Sequence, residues 1–298
     1  MIESIHKYFD IGTVLWMSFP AQETISALRR IAADPNFDAV ELTHFEDPQK
    51  RAEARKILDT ALVRPAFAAQ PILMAEQLNP NAVDEAQRLA AETRLKQAAD
   101  EAEYLGASAM SFMAGHWDAA HKQQQLDQLL KTTGALCEYL GEKGMSLELE
   151  PFDIDMDRCA LIGPAPLAAE YAARVCEQHH NFGLLIDLSH FPTNHEDSQD
   201  VVPLLARYTT HVHIGNAVTV PGKPAYGDKH PRFAFPDSAN GRAELTQFLQ
   251  LMKHYGVFRP ENKKVLSFEV KPFADEDPEL VLAGSVRVLN QCWAAVVD

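Results

Sequence analysis

The sequence has 298 residues, of which 46% are hydrophobic and 23% are charged. This composition is typical of a globular protein with a sizeable core, and no stretch approaches the roughly 20 uninterrupted apolar residues of a membrane helix. Lysine and arginine total 27 against 42 for aspartate and glutamate, a formal charge of −15. No basic cluster stands out to neutralise phosphates, so we expect neither a nucleic-acid partner nor a membrane partner.

Two features of the sequence indicate the cellular compartment: the N-terminal segment and the cysteines. The N-terminal segment lacks the basic start and apolar region of a secretory signal, so we expect a cytoplasmic protein. The cysteines are far apart and form no CxxC pair, which favours reduced, packed thiols over a zinc knuckle or a disulfide scaffold. They are Cys137, Cys159, Cys176 and Cys292.

Short β-rich runs alternate along the chain with longer amphipathic stretches. We expect strands at residues 11–19, 37–45, 62–70, 107–116, 145–152, 182–190, 209–217 and 265–273. Helical periodicity is clearest at residues 21–34, 82–106, 123–144 and 243–256, and several of these stretches close on glycine as helices do. Regular alternation of strand and helix predicts parallel βαβ units. Eight such units favour a (β/α)8 TIM barrel over an open sheet, and no GxGxxG follows the first run.

We interpret residues 1–298 as one barrel domain with one long loop. The longest irregular segment, residues 218–242, follows the seventh strand and contains glycine, proline and both signs of charge. Loops of this length without secondary structure are uncommon in compact domains and are usually functional. We therefore predict that this loop covers the substrate, with Asp228, Lys229 and His230 as its best candidates for substrate contact.

Ionisable side chains recur at the predicted C-terminal ends of the last four strands. They are Glu150 on the fifth strand, Asp187 and His190 on the sixth, His211 and His213 on the seventh, and Glu269 and Lys271 on the eighth. In a barrel of this type the active site is built at that face. Carboxylates with a histidine form a mixed oxygen and nitrogen ligand set that suits Mn, Mg, Co or Zn. The alternative is a set of partly exposed, ion-paired turn residues.

Four segments at these strand ends, "LELEPFD", "IDLSH", "HVHIGN" and "SFEVKPF", resemble the xylose-isomerase-like TIM-barrel superfamily in their order and spacing. That group contains sugar 3-epimerases of the tagatose/psicose type, hydroxypyruvate isomerase, dehydratases and endonuclease IV. The resemblance implies one divalent metal ion held by Glu150, Asp187, His213 and Glu269, with His190 contacting substrate. It also implies that the two glutamates act as acid and base on opposite faces of the substrate carbon, while the metal stabilises an enediolate.

The sequence departs from the family pattern at one place and adds residues at another. The epimerases place an arginine a few residues after the seventh-strand histidine, whereas here Lys223, Lys229 and Arg232 all come later, which leaves the substrate open. Endonuclease IV binds three metals through extra histidines, and this chain carries His44 and His116 at the ends of the second and fourth strands. These two histidines are candidates for substrate binding, or they satisfy loop carbonyls.

Other residues near the strand ends have two interpretations each. Trp16 and Trp117 follow the first and fourth strands, where an aromatic ring stacks on a sugar or caps the core. Glu148 lies one layer below Glu150, and its alternative role is that of a buried acid bonded to neighbouring strands. Lys271 shares a face with the last glutamate, so it either pairs with the ligand carboxylates or reaches the substrate.

The sequence therefore predicts a divalent-metal-dependent isomerase or epimerase of a small sugar or related hydroxy-carbonyl compound, compatible with a homo-oligomer. The enzymatic alternative is a metal-dependent lyase or dehydratase, including one that cleaves ketosugars or C-glycosides, because both reactions begin by removing a proton next to a carbonyl. An endonuclease is disfavoured by the charge of the chain. A non-catalytic sugar-binding protein is disfavoured because binding alone does not require a cation between two bases.

Overall fold

The computed structural model describes residues 3–297 and contains a barrel of parallel strands. The strands are β1 (Phe9–Thr13), β2 (Ala39–Leu42), β3 (Arg64–Ala68), β4 (Ala109–Met113), β5 (Ser146–Glu150), β6 (Phe182–Asp187), β7 (Thr209–Gly215) and β8 (Lys264–Glu269). Their order in the sheet is β1-β8-β7-β6-β5-β4-β3-β2, and a parallel bridge between Val14 and Glu41 brings β1 to β2. This nearly closed barrel confirms the predicted (β/α)8 fold.

Helices follow the strands and cover the outside of the barrel. They are α1 (Leu15–Ser18), α2 (Thr24–Ala32), α3 (Pro48–Ala61), α4 (Gln70–Ala75), α5 (Glu85–Leu105), α6 (Lys122–Glu142), α7 (Ala165–Cys176), α8 (His190–Thr193), α9 (Ser198–Leu205), α10 (Arg242–His254) and α11 (Pro278–Ala295), with short 3-10 turns at Ile5–Lys7 and Ala206–Tyr208. None of these helices within residues 3–297 is long and apolar enough to cross a membrane.

The long helices begin and end where the sequence predicts. The side chain of Asp84 caps α5 by accepting a hydrogen bond from the amide of Gln87 at 3.0 Å. Gly106 follows α5 in the left-handed region at φ +85°, and Gly144 and Gly256 adopt similar conformations after α6 and α10. Only glycine enters this region at little cost, so these three residues stop the helices and return the chain towards the next strand.

All eight strands end earlier than predicted at their C-terminal ends, and the physical reason is clear for two of them. The run at 11–19 forms β1 only as far as Thr13, and Leu15–Ser18 forms the one-turn helix α1, with the hydroxyls of Thr13 and Ser18 2.6 Å apart. The run at 182–190 stops at Asp187, whose carboxylate accepts a hydrogen bond from the amide of Ser189 at 2.9 Å. Local side-chain bonds thus end both strands where β propensity alone would continue them.

The predicted long loop has no helix or strand, and it is bonded to the C-terminal ends of the neighbouring strands. The side chain of Asn240 donates hydrogen bonds to the carbonyls of Leu188 and Gly215, at 3.0 and 3.2 Å. The amide of Lys271 donates to the carbonyl of His230 at 2.7 Å. Because Gly215 ends β7, and Leu188 and Lys271 lie one and two residues after β6 and β8, these bonds hold the loop at the C-terminal end of the barrel.

Candidate active site

Four ionisable side chains converge at the C-terminal end of the barrel. Parallel pairing sets Asp187 of β6 beside His213 of β7, while Glu150 and Glu269 are the last residues of β5 and β8. Ligand atoms of these four residues all lie within 4.8 Å of one another. Glu150, Asp187 and His213 are buried and Glu269 is partly exposed. The arrangement is therefore a compact set of three carboxylates and one imidazole.

His213 is oriented by a residue that the sequence analysis did not identify. Its Nε2 atom lies 2.8 Å from Oε1 of Glu41, a fully buried carboxylate in β2. Its Nδ1 atom lies 2.6 Å from Oε2 of Glu269 and 3.6 Å from Oε1 of Glu150. With Nε2 directed at Glu41, Nδ1 is the ring atom available to a ligand in the centre. The sequence did contain a signal for Glu41, since it is an acidic residue within the apolar run predicted as the second strand.

Glu41 also belongs to a buried network one layer deeper in the barrel. His211 lies 3.0 Å from Glu41 through Nε2 and 2.9 Å from Glu148 through Nδ1. Burial lowers the pKa of His211, but the two carboxylates outweigh it and raise the pKa to about 9. Burial raises the pKa of Glu41, but the imidazoles of His213 and His211 hold it well below its usual range. Glu148 is thus a buried acid bonded within the barrel, which was the alternative role considered for it from the sequence.

The two carboxylate oxygens of Glu150 have different surroundings. Its Oε2 atom accepts a hydrogen bond from Nε2 of Gln70 at 2.7 Å, and Ser111 donates to the carbonyl oxygen of that amide at 3.1 Å. Its Oε1 atom is buried and has no hydrogen-bond partner within residues 3–297. Since an unpaired buried carboxylate oxygen is costly, this atom is a candidate for contact with a cation or a substrate proton.

Glu150 and Glu269 have pKa values displaced in opposite directions. Burial raises the pKa of Glu150, but the neighbouring imidazoles of His190 and His213, 3.5 and 3.6 Å from its Oε1, outweigh it and lower the value to about 2. At Glu269, burial outweighs the opposing effect of His230 and His213 and raises the pKa. Two facing carboxylates with separated pKa values are the arrangement used for general acid and base catalysis.

Asp187 and His190 sit at the base of the site. The amide of Ser189 bonds one oxygen of Asp187 and the hydroxyl of Ser189 bonds the other. His190 begins α8, its ring centroid lies 4.3 Å from that of Phe152, and its Nε2 lies 3.5 Å from Oε1 of Glu150. This nitrogen is buried with no hydrogen-bond partner in the described part of the chain. His190 is therefore a buried neighbour of two of the four carboxylate and imidazole residues, Glu150 and Asp187.

A cavity of about 190 Å³ opens above these residues. Its lining includes the predicted residues Glu150, His213, Glu269, Trp16, Asp228, Lys229, His230 and Lys271. His230 is 3% exposed, and its Nε2 lies 2.5 Å from Oδ1 of Asp228. The loop after β7 thus reaches the cavity through side chains that are tightly bonded to one another. Asp187 and His230, with His190, form a second group whose ligand atoms lie close together.

Several predicted residues do not line this cavity. Asp187 and His190 are buried outside its lining, and His44, His116 and Trp117 lie elsewhere. Nδ1 of His44 lies 2.6 Å from the carboxylate of Glu101, and His44 lines a separate cavity of about 380 Å³ on the far side of Trp16. His116 is exposed, and its main-chain carbonyl accepts hydrogen bonds from two asparagine side chains. Trp117 donates its indole N–H to the carbonyl of Ile154 at 3.3 Å. The three lie at strand ends but point away from the ligand set.

Arg158 is the cavity residue that the sequence analysis missed. It lies in the loop after β5 and its Nε donates to Oδ2 of Asp228 at 2.6 Å, so it joins the two loops that border the cavity. Its only sequence signal was its place in the polar segment 153–158 directly after a strand end. A polar segment of this kind indicates a loop, but it does not indicate which side chains point into a cavity, because their directions depend on the fold.

The comparison with protein families identifies the fold's relatives. A family described as xylose isomerase-like TIM barrel matches residues 29–292. The chain belongs to this family. Among curated proteins, none matches the sequence. The match spans the segments carrying all four members of the converging set, and it confirms the resemblance seen at the strand ends.

Solved structures of family-like barrels superpose on nearly the whole chain. An L-ribulose 3-epimerase is 16% identical, with 97% of this chain and 95% of that chain covered and a TM-score of 0.73. The IOLI protein, solved with a zinc atom, is 15% identical, with 97% and 98% covered and a TM-score of 0.73. An AP endonuclease of family 2 from Brucella melitensis is 17% identical, with 93% and 97% covered and a TM-score of 0.68. At these identities the likeness shows the shared fold.

Proposed function

We propose that this protein is a divalent-metal-dependent isomerase or epimerase that moves a proton at a carbon next to a carbonyl in a small sugar-like compound. The observation that carries the proposal is geometric: Glu150 and Glu269 border one cavity, and their carboxylates converge with Asp187 and His213, with ligand atoms of all four residues within 4.8 Å of one another. The 3-epimerases among the structural neighbours act on sugars, which supports a substrate of this class.

The donor set fits a divalent cation such as Mn, Mg, Co or Zn. Glu150, Asp187, His213 and Glu269 would hold it, because three carboxylates and one imidazole match the ligand preferences of these ions. The unpartnered Oε1 of Glu150 supports this assignment, since a buried carboxylate oxygen is stabilised by a cation. When bound, the cation would withdraw electron density from the substrate carbonyl and make the adjacent C–H more acidic.

The two glutamates divide the proton transfer between them. Glu150, with its pKa lowered to about 2, is ionised at neutral pH and is able to accept a proton. Glu269 borders the same cavity and would return a proton to the substrate carbon. Trp16 and Phe152 line the same cavity and provide apolar surface for the C–H face of a polyol while excluding water.

Isotope exchange tests this chemistry. Metal-loaded protein is incubated with neutral and acidic ketoses in D2O, and NMR follows deuterium entering the carbon beside the carbonyl. We expect exchange with at least one compound, and we expect Glu269→Gln to slow it by about 100-fold or more while substrate binding changes little. Glu148→Gln is the matched control, since that carboxylate lies outside the cavity. Turnover without exchange together with a fully active Glu269→Gln variant would reject the proposal.

Metal analysis tests the ligand assignment separately. We expect one tightly held ion per chain, with most of it lost in Asp187→Ala and in His213→Ala while the circular dichroism spectrum remains that of a folded barrel. His44→Ala is the control and should keep its metal, because His44 pairs with Glu101 away from the ligand set. Full occupancy in both ligand variants would show that the metal is held elsewhere.

A lyase or dehydratase on the same residues is the second candidate. It would begin with the same proton removal by the glutamate pair and would then expel a group from the neighbouring carbon. The same cavity and the same pair of glutamates serve both reactions, so the products distinguish them. Product analysis decides: one product of unchanged mass indicates an isomerase, and two products or loss of water indicates a lyase.

A further inference from the structure

The cavity holds an unexpected concentration of positive charge. The chain carries a net charge of −15, yet Arg158, Lys229 and Lys271 all line the small cavity above the glutamate pair. They come from three different loops, which follow β5, β7 and β8. Lys229 is already paired, because its Nζ lies 3.1 Å from Asp157. Arg158 also pairs, through Nε, but Arg158 and Lys271 are the two whose terminal nitrogens make no hydrogen bond within residues 3–297.

Arg158 is fixed through one part of its guanidinium and open at the other. Its Nε donates to the buried carboxylate of Asp228 at 2.6 Å. No hydrogen bond from its two terminal nitrogens joins another residue of the described chain, 3–297. Asp228 is itself held by Nε2 of His230, at 2.5 Å. The guanidinium is thus positioned by a bonded carboxylate while its outer edge, with two parallel N–H directions, is available to a planar anion.

The loop that carries Arg158 is built to hold this position. The carboxylate of Asp153 is 1% exposed and accepts hydrogen bonds from three successive amides, those of Met156, Asp157 and Arg158, at 2.7, 2.6 and 2.7 Å. Three bonds from one buried carboxylate fix the backbone directly at the arginine. A cation that is fixed before the ligand arrives loses little entropy on binding, which favours recognition.

Lys271 lies two residues after Glu269, in the segment that follows β8. Its amide is bonded to the carbonyl of His230, and its side chain is exposed towards the cavity. Within residues 3–297 its Nζ has no carboxylate partner. A lysine without a carboxylate partner beside a set of carboxylates provides a second point of attraction for an anion.

The geometry points to a substrate that carries a carboxylate group: a sugar acid whose anionic end binds Arg158 and Lys271 while its hydroxy-carbonyl end faces Glu150 and Glu269. Only the placement of the hydroxy-carbonyl end beside Glu150 and Glu269 rests on the proposed function. A cavity of about 190 Å³ is small beside the roughly 300–1,000 Å³ of drug-sized sites, so the ligand is compact. The edge of a guanidinium binds carboxylates and phosphates alike, and the small volume of the cavity leads us to the smaller, singly charged carboxylate.

Equilibrium binding to the metal-loaded protein tests the inference without any need for turnover. Isothermal titration compares gluconate with glucitol, which has the same carbon chain without the charge, and with glucose 6-phosphate. We expect gluconate to bind about tenfold or more tightly than glucitol, which corresponds to about 1.4 kcal/mol. Arg158→Gln and Lys271→Gln should each remove most of that preference and leave the metal content unchanged. Lys223→Gln is the control, since Lys223 pairs with Asp237 and does not line the cavity.

Three outcomes would overturn the inference. Equal binding of gluconate and glucitol, or no binding of either, removes the need for an anion site. A preference for gluconate that survives in both variants shows that the acid binds the metal and leaves the cations without a role. Tighter binding of the phosphate identifies a different anion. Loss of deuterium exchange with an intact gluconate preference would reject the isomerase and leave the carboxylate site standing.

Discussion

His213 is bonded from behind by Glu41, with Nε2 of the imidazole 2.8 Å from Oε1 of the carboxylate. The two residues lie on strands that are not neighbours in the sheet, so the bond crosses the barrel interior. A buried carboxylate in this position fixes the orientation of the ring and makes its other nitrogen more basic. The affinity of His213 for a metal ion therefore depends partly on Glu41, which lies across the barrel interior.

Glu41→Gln should weaken metal binding without abolishing the fold. The amide keeps the size of the side chain and removes the charge that supports His213, and loss of such a partner typically costs 10–100-fold in metal affinity. Competition with a chelator of known affinity measures the change. Glu148→Gln is the matched control, because Glu148 bonds His211 and not His213. Equal affinities in the wild type and both variants would contradict the role assigned to Glu41.

Gln70→Leu should shift the pH dependence of deuterium exchange. Gln70 donates to the charged form of Glu150, and removal of a donor to a carboxylate raises its pKa. We expect the acidic limb of the exchange profile to move upward by about one pH unit, since a lost hydrogen bond to a charged group costs about 1.5–3 kcal/mol. Ser111→Ala leaves that bond in place and should move the limb less. An unchanged limb in Gln70→Leu would show that Glu150 does not control it.

The buried His211 makes stability depend on pH. Its pKa is raised to about 9 in the folded chain, against about 6.5 in the unfolded chain, so the folded state binds its proton more tightly. The stabilisation is fully present below pH 6.5 and is lost as the pH rises through 9. In the metal-free protein, the stability difference between the wild type and His211→Asn should therefore shrink from pH 6.5 to pH 9.5. Urea unfolding measures it, and a constant difference would refute the assignment.

Asp153→Asn should destabilise the loop after β5. The buried carboxylate accepts bonds from three amides, and bonds to a charged acceptor contribute about 1.5–3 kcal/mol each, part of which the asparagine oxygen retains. We expect a loss of about 2 kcal/mol in the free energy of unfolding. Asp155→Asn is the control on the same loop, since that side chain is largely exposed and should change stability by less than about 0.5 kcal/mol. Similar losses in both variants would show that burial of Asp153 is not the cause.

The sequence alone determined the fold and the composition of the candidate metal site. Alternating β-rich runs and amphipathic stretches reflect burial on one side of each element, and this local periodicity predicted the eight strands and the helices α2, α5, α6 and α10. The family motifs placed Glu150, Asp187, His213 and Glu269 at neighbouring strand ends. Because the C-terminal ends of parallel strands meet at one face, their convergence follows from topology without knowledge of side-chain conformation.

Only the tertiary structure decided what surrounds those four residues. His44 and His116 occupy strand ends as the sequence indicates, but they lie away from the cavity. Arg158 reaches the cavity because a buried aspartate five residues earlier folds its loop and Asp228, 70 residues later, bonds its guanidinium. Contacts between residues so distant in sequence leave no periodic pattern in the chain. The convergence of the four candidate ligands was therefore predictable from local sequence, whereas the bonds that support them and the charge of the cavity depend on how the loops pack together.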